Sequence, residues 1–212
     1  MSLRLAVLVS GEGSNLQAIL DSVHGREGIE VVAVGSNRAE ARGLDRARGA
    51  GVETGVFPRE EFADRPARDA EMADWLDSRG AELVVLAGYM ELLSPAFVQR
   101  YAGRLINVHP SLLPSFAGLH AIQQAIDYGV RVMGVTVHFV DEGVDTGPIL
   151  AQEAFQIDPY ALDVGAIEAR VHSIEHELLP RAIRLIASGA VSVDPAAPRR
   201  MVIEGGNRSG DE

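Results

Sequence analysis

An amide and an imidazole stand at alternate positions where an apolar run ends, in Leu105-Ile106-Asn107-Val108-His109-Pro110. In an extended strand, Asn107 and His109 point to the same side. Pro110 disfavours the helical region at His109 and keeps that residue extended. Both side chains then face one cleft. Such a pair suits attack of a nucleophile on a carbonyl carbon. The amide N–H can stabilise the oxygen as it turns negative, worth about 2.7–4 kcal/mol in known oxyanion holes. The imidazole can move the proton or, when protonated, donate to the same oxygen. A turn asparagine and a structurally satisfied histidine would leave the same trace.

Two further segments offer matching chemistry. An alternating run, Gly134-Val135-Thr136-Val137-His138-Phe139-Val140, leads into Asp141-Glu142-Gly143-Val144-Asp145-Thr146-Gly147-Pro148. Asp145 stands between two glycines, and a carboxylate beside an imidazole raises the imidazole pKa and fixes its orientation. An Asp-rich turn is the plain alternative. Near the start, Ser10-Gly11-Glu12-Gly13-Ser14-Asn15 joins an apolar strand to a helix-like pattern. Its glycines allow close backbone approach, and the following helix directs free N–H groups and partial positive charge at the loop. That geometry holds a phosphate. The spacing is not the dinucleotide pattern, because Leu16 stands where glycine or alanine belongs, and it is not a Walker loop, because it lacks lysine. The alternative is a helix start capped by Ser14, with Gln17 completing a capping box.

Elements that alternate along the chain must position these groups. Apolar runs at Leu3–Val9, 31–34, 83–87, 105–108 and 132–140 read as strands. Leu16, Ile19, Leu20 and Val23 line one helical face. Further helices are predicted over 39–50, 67–78, from an N-cap at Ser94-Pro95, and over Val164–Ala187, closed by Gly189. This alternation predicts an α/β fold: a mostly parallel twisted sheet with helices on both faces, Rossmann-like. Ligands in such sheets collect beyond the carboxyl ends of the strands, here after Val9, Ala87 and Val108. We expect one domain over 1–194 and a flexible tail over 195–212.

Composition narrows the function classes. The chain has 212 residues, no cysteine and a formal net charge of -11. Disulfides, thiolate catalysis and cysteine-ligated metals are excluded. Broad attraction to nucleic acid is disfavoured, so an anionic substrate needs local devices. No apolar stretch approaches the roughly 20 residues of a membrane span. The first residues read as a strand rather than a secretion signal, and the default location is cytoplasmic.

SGEGSNLQA, INVHPSLLPSFAG and GVTVHFVDEGVDTGPI together resemble the folate-dependent formyltransferases. The similarity runs to about Leu185, and the first loop is similar to the branch that acts on glycinamide ribonucleotide. The resemblance implies 10-formyltetrahydrofolate as donor and the amine of 5'-phosphoribosylglycinamide as acceptor, in purine biosynthesis. It implies a catalytic trio of Asn107, His109 and Asp145. It implies phosphate contacts from Gly13, Ser14 and Asn15, and a ribose contact from Glu175. The folate side would comprise Arg65, Met90, Glu91, Leu92, Leu93, Asn107 and the loop Asp141, Glu142, Gly143, Val144 and Asp145. A water near Thr136 would be placed to move protons. Relatives often carry arginine where Glu91 stands. A glutamate facing the anionic tail of folate would repel it, whereas backbone contacts there would not. No metal is implied, and the assembly leaves room for a homodimer.

A formyltetrahydrofolate hydrolase would share the trio and use water as acceptor. A methionyl-tRNA formyltransferase core would share it too, but both usually carry an additional domain, and neither accounts as well for SGEGSN. A non-catalytic phosphometabolite-binding domain is the alternative from another class. His172-Ser173-Ile174-Glu175-His176 also fits the H-x-x-E-H zinc peptidase pattern, but no downstream residue clearly supplies a third ligand.

Overall fold

The computed structural model describes residues 2–158, 163–194, 196–197 and 199–203. In chain order the elements are β1 (Leu3–Val9), α1 (Ser14–Ser22), β2 (Ile29–Ser36), α2 (Arg42–Gly49), β3 (Glu53–Val56), α3 (Arg65–Ser78), β4 (Leu83–Leu86) and α4 (Pro95–Arg100). They continue with β5 (Leu105–His109), α5 (Ala121–Tyr128), β6 (Val132–Phe139), β7 (Ile149–Gln156), α6 (Val164–Ala187), β8 (Val191–Val193) and β9 (Met201–Ile203). β1 to β7 form one seven-stranded sheet in the order β3-β2-β1-β4-β5-β6-β7. The β3 to β5 portion is parallel, and β6 and β7 are antiparallel.

The period-two pattern of each strand divides the core into two layers. In β1, Leu5, Val7 and Val9 face α1, α2 and α6, meeting Leu16, Ile19, Leu44, Val171 and Leu178. Ala6 and Leu8 face the other way, into a layer with Met72, Leu76, Phe97 and Tyr101 of α3 and α4. The same alternation sends Ile106 and Val108 of β5, and Val135 and Val137 of β6, into the α6 layer. Asn107, His109, Thr136 and His138 therefore share the opposite face. There the loops 110–119 and 141–147, rather than a helix, supply their partners.

Several boundaries differ from the sequence reading. β3, β7 and α5 were not predicted. β3 is four residues long, too short for a clear period. β7 lies at the sheet edge and exposes Gln152-side positions on one face, with burial alternating along it. α5 starts after His120 in the left-handed region at φ 60, with no capping side chain to announce it. α2 begins at Arg42 rather than 39. α3 begins at Arg65, where the Asp64 carboxylate accepts from Ala67 N. The Ser94 cap forms, its Oγ accepting from Phe97 N. Within the region read as a tail, Met201–Ile203 pairs antiparallel with Val191–Val193, and Asp194 N donates to Arg200 O. Pro195, Pro198 and residues 204–212 of that tail lie outside the described residues.

Candidate active site

Adjacent strands bring the central groups together. The β5–β6 register places Asn107 opposite His138 and His109 opposite Thr136. Cross-strand neighbours have Cβ atoms within about 4.5–5.5 Å, so four polar side chains share one patch. Asp145 reaches the patch from the loop after β6. Its backbone holds φ 54, a left-handed conformation that aspartate tolerates better than most residues.

Asp145 is the hub. Its Oδ2 accepts from Gly118 N at 2.8 Å and lies 3.3 Å from His109 Nδ1. Its Oδ1 lies 3.5 Å from His138 Nε2 and 3.4 Å from Asn107 Nδ2. Burial pushes the carboxyl pKa up, but the His138 bond, the Gly118 amide and the charge of both imidazoles outweigh it and hold it down to about 2. Asp145 is therefore an anion at neutral pH. His109 is 5% exposed, and its Nε2 meets the Phe116 carbonyl at 2.9 Å. Both of its ring nitrogens face oxygen atoms, one of Asp145 and one of Phe116. His138 Nδ1 meets the Phe139 carbonyl at 2.8 Å, and its Nε2 lies 3.3 Å from Asn107 Nδ2.

Thr136 does not suit the role expected of it. Its buried hydroxyl donates to Ser111 O at 2.7 Å and accepts from Leu113 N at 3.1 Å and Gln152 Nε2 at 2.9 Å. A hydroxyl has one donor and two acceptor positions, and all are taken. Thr136 clasps the loop after β5 instead of holding a mobile water.

A second polar cluster lies at the start of α1. Gly13 is the N-cap in the left-handed region, and no side chain caps the helix. The alternative, a capping box, does not form: Ser14 is the first helical residue, and the Gln17 side chain bonds Asp21 and Arg46. The first N–H groups of α1 thus face the loop without a side-chain cap. Gly13 could be no other residue here, since a Cβ would lie 2.6 Å from Gly43 Cα. Asn15 is buried and donates to Glu175 Oε2 at 3.1 Å, while its own Oδ1 has no partner among the described residues. Glu175 is 5% exposed on α6 and also meets His172 Nδ1 at 3.0 Å. The zinc pattern does not assemble: among the described residues no group of three His, Cys, Asp or Glu could hold a metal.

The segment after β4 forms the third part. Met90 and Leu92 are 62% and 63% exposed. Glu91 turns inward to Arg68 and Asn37, and Leu93 packs into the α3–α4 layer. In the acidic loop, Asp141 Oδ1 accepts from Gly143 N and Thr146 Oγ1, which closes the turn. Glu142 meets Gln99 at 3.4 Å, and Val144 is exposed. Arg65 is exposed on the first turn of α3, and its side chain bonds none of the described residues. The guanidinium that meets the 90–93 segment is Arg68.

The formyl transferase family profile matches residues 3–183. The phosphoribosylglycinamide formyltransferase of Escherichia coli is 44% identical over 193 residues, 90% of each chain. The chain belongs to the phosphoribosylglycinamide formyltransferase family. The crystal structure of glycinamide ribonucleotide transformylase 1 from Symbiobacterium toebii superposes on this formyltransferase with a TM-score of 0.89, at 44% identity, covering 95% of this chain and 94% of that one. A trifunctional purine biosynthetic protein of Drosophila pseudoobscura pseudoobscura is 47% identical over 89% of this chain, which spans only 14% of that longer protein.

Reading the formyltransferase site from sequence missed His138 and Arg68. His138 carried a usable signal, because it lies at even spacing from Thr136 on an alternating strand, facing away from Val137. Arg68 carried none, since a charged residue near a helix start reads as solvated.

Proposed function

We propose that this chain transfers the formyl group of 10-formyltetrahydrofolate to the amine of 5'-phosphoribosylglycinamide in purine biosynthesis. The convergence of Asn107, His109 and Asp145 on one sheet face, at the end of the sheet where α1 presents an uncapped N-terminus, carries this reading.

In the mechanism, the substrate amine attacks the formyl carbon and a C–N bond forms. The carbonyl oxygen becomes negative. Asn107 Nδ2, held only by contacts of 3.3 and 3.4 Å, turns to donate to it. His109, oriented by the Asp145 carboxylate, donates as well, exchanging its Phe116 partner for substrate. The bond from carbon to N10 of the folate then breaks. The amine loses a proton and N10 gains one, with His109 as the carrier. The products are the formylated amine and tetrahydrofolate. Asp145 positions His109 and stabilises its charge.

The acceptor phosphate binds the amides of Gly13, Ser14 and Asn15, and Glu175 accepts from the ribose hydroxyls. The pterin of the donor needs apolar surface, and Met90, Leu92, Leu119 and Val144 offer it: all are large, apolar and exposed. Backbone groups of 90–93 and 141–145 complete that side, with Arg65 available for the anionic tail. We read 1–194 as one catalytic domain in the cytoplasm. No helix among the described residues is long and apolar enough to cross a membrane.

A hydrolase would need no acceptor end. Tetrahydrofolate release from 10-formyltetrahydrofolate, measured with and without 5'-phosphoribosylglycinamide, separates the two. Release that requires the amine supports the transferase, release without it supports the hydrolase, and no release in either case removes the folate reading.

A further inference from the structure

The Glu91 carboxylate belongs to a buried polar chain. Arg68 is wholly buried. Its Nε and Nη2 donate to Asp69 Oδ1 at 3.0 and 2.8 Å, and its Nη1 pairs with Glu91 Oε2. Asp69 is equally buried, and its other oxygen accepts from Ser94 N at 2.5 Å. The other oxygen of Glu91 accepts from Asn37 Nδ2 at 2.8 Å. Asn37 Oδ1 accepts from Ser10 Oγ at 2.6 Å, and Ser10 Oγ accepts from Met90 N at 2.8 Å. The chain thus starts and finishes on the segment 90–94, fixing its main chain at Met90 and Ser94 and its middle at Glu91.

The side chains follow from those fixed points. Tyr89 and Leu93 pack inward and Glu91 joins them, while Met90 and Leu92 stand exposed. An inward Glu91 is what turns its two neighbours outward. A carboxylate beside one fully buried guanidinium is also well compensated: burial pushes the Glu91 pKa up, but the bonds from Arg68 and Asn37 outweigh this and hold it below the usual range.

We propose that Glu91 and Arg68 are positioning residues for the formyl donor, holding segment 90–94 so that Met90, Leu92 and the backbone meet the folate while the Glu91 charge stays away from it. This rests on the folate reading of that segment. It also gives Ser10, at the head of the glycine-rich loop, a structural link between the two substrate ends.

The test combines kinetics with amide hydrogen exchange on the purified full chain. Glu91→Ala should raise the KM for 10-formyltetrahydrofolate about tenfold, as loss of a positioned binding surface does. The kcat and the KM for 5'-phosphoribosylglycinamide should stay within about twofold. Glu91→Gln keeps one acceptor oxygen, enough for Arg68, but turns an amide donor toward Asn37 Nδ2, and should recover only part of the donor affinity. Without any ligand, exchange should quicken at Met90 and Ser94 in the alanine variant and stay unchanged on β1. A fall in donor KM on removing the charge would overturn the proposal, because it would mean that Glu91 faces and repels the donor. Equal losses for both substrates would reduce the network to a folding element. Unchanged exchange at Met90 and Ser94 would also overturn it. If the exchange changes as expected but even the unmodified protein turns over no folate, the folate reading fails and the positioning of the segment stands.

Discussion

Among the described residues two carboxylates, Glu175 and Asp145, pair with histidine, and the closer contact is the less suited to catalysis. His172 and Glu175 meet at 3.0 Å, His109 and Asp145 at 3.3 Å. The first pair is a neighbour contact three residues apart on α6, and the His172 side chain is 56% exposed. The second joins a strand to a loop, with side chains 6% and 13% exposed. Water screens the first pair. The second works at low dielectric, where each hydrogen bond counts for more. Asp145 also collects Gly118, His138 and Asn107, whereas Glu175 collects Asn15 of the glycine-rich loop. A pair buried on both sides, with further partners from separate elements, is what the proposed reaction centre has and the proposed ligand anchor lacks.

The sharpest way to break this contrast is to neutralise each carboxylate. Asp145→Asn should lower kcat by roughly 10³–10⁴, as loss of the group that orients a catalytic imidazole does. Glu175→Gln should instead raise the KM for the ribonucleotide about tenfold and leave kcat nearly unchanged. Steady-state kinetics with each substrate varied would check both. Equal kcat losses in the two variants would mean that the two carboxylates do the same work. Asn107→Ala comes next, with an expected loss of about 10²–10³ in kcat, the usual effect of removing one oxyanion donor. A change confined to the donor KM would move Asn107 from the chemistry to binding.

A smaller effect concerns stability. The folded Asp145 carboxyl is held down to about 2, against about 3.9 for a free aspartate. A depressed carboxyl contributes stability that is present above the unfolded value and is lost as pH falls through the folded one. Between pH 5 and pH 2 the protein should therefore lose on the order of 2 kcal/mol through this group alone. Urea unfolding of Asp145→Asn over that range should show a shallower pH dependence than the unaltered chain. Parallel curves would place the acid sensitivity elsewhere.

The parts of the fold legible in the sequence are those with a strong period or punctuation. β1 and α6 coincide with their apolar patterns, and α4 announces itself by Ser94 and the proline that follows it. The glycine-rich loop, the Asn107–His109 strand end and the Asp145 turn lie on the elements expected, because residue type, alternation and chain reversal are local properties. What stayed hidden was non-local. The antiparallel turn of β6 against β5, which sets His138 opposite Asn107, depends on the order of strands in the sheet. The burial of Arg68 beside its neighbour Asp69 depends on Glu91 arriving from the segment after β4. Ser14 offered itself as an alternative cap by type and spacing, yet Gly13 takes that place, in the left-handed region and so close to Gly43 that a Cβ would not fit.

The smallest expected effect closes the contrast from the other side. Burial lowers the His172 pKa, but the hydrogen bond to Glu175, the largest influence, and the charges of Glu175 and Glu168 raise it overall. A raised imidazole contributes stability that is fully present below the unfolded value, about 6.5, and that is lost as pH rises through the folded one. Because the side chain is more than half exposed, screening should keep that contribution below about 0.5 kcal/mol. Thermal melts of His172→Ala at pH 6 and pH 8.5 should differ little from those of the unaltered chain, with kcat retained. A pronounced loss of kcat in this variant would mean that an exposed helical pair can do what the buried one does, and burial would no longer separate them.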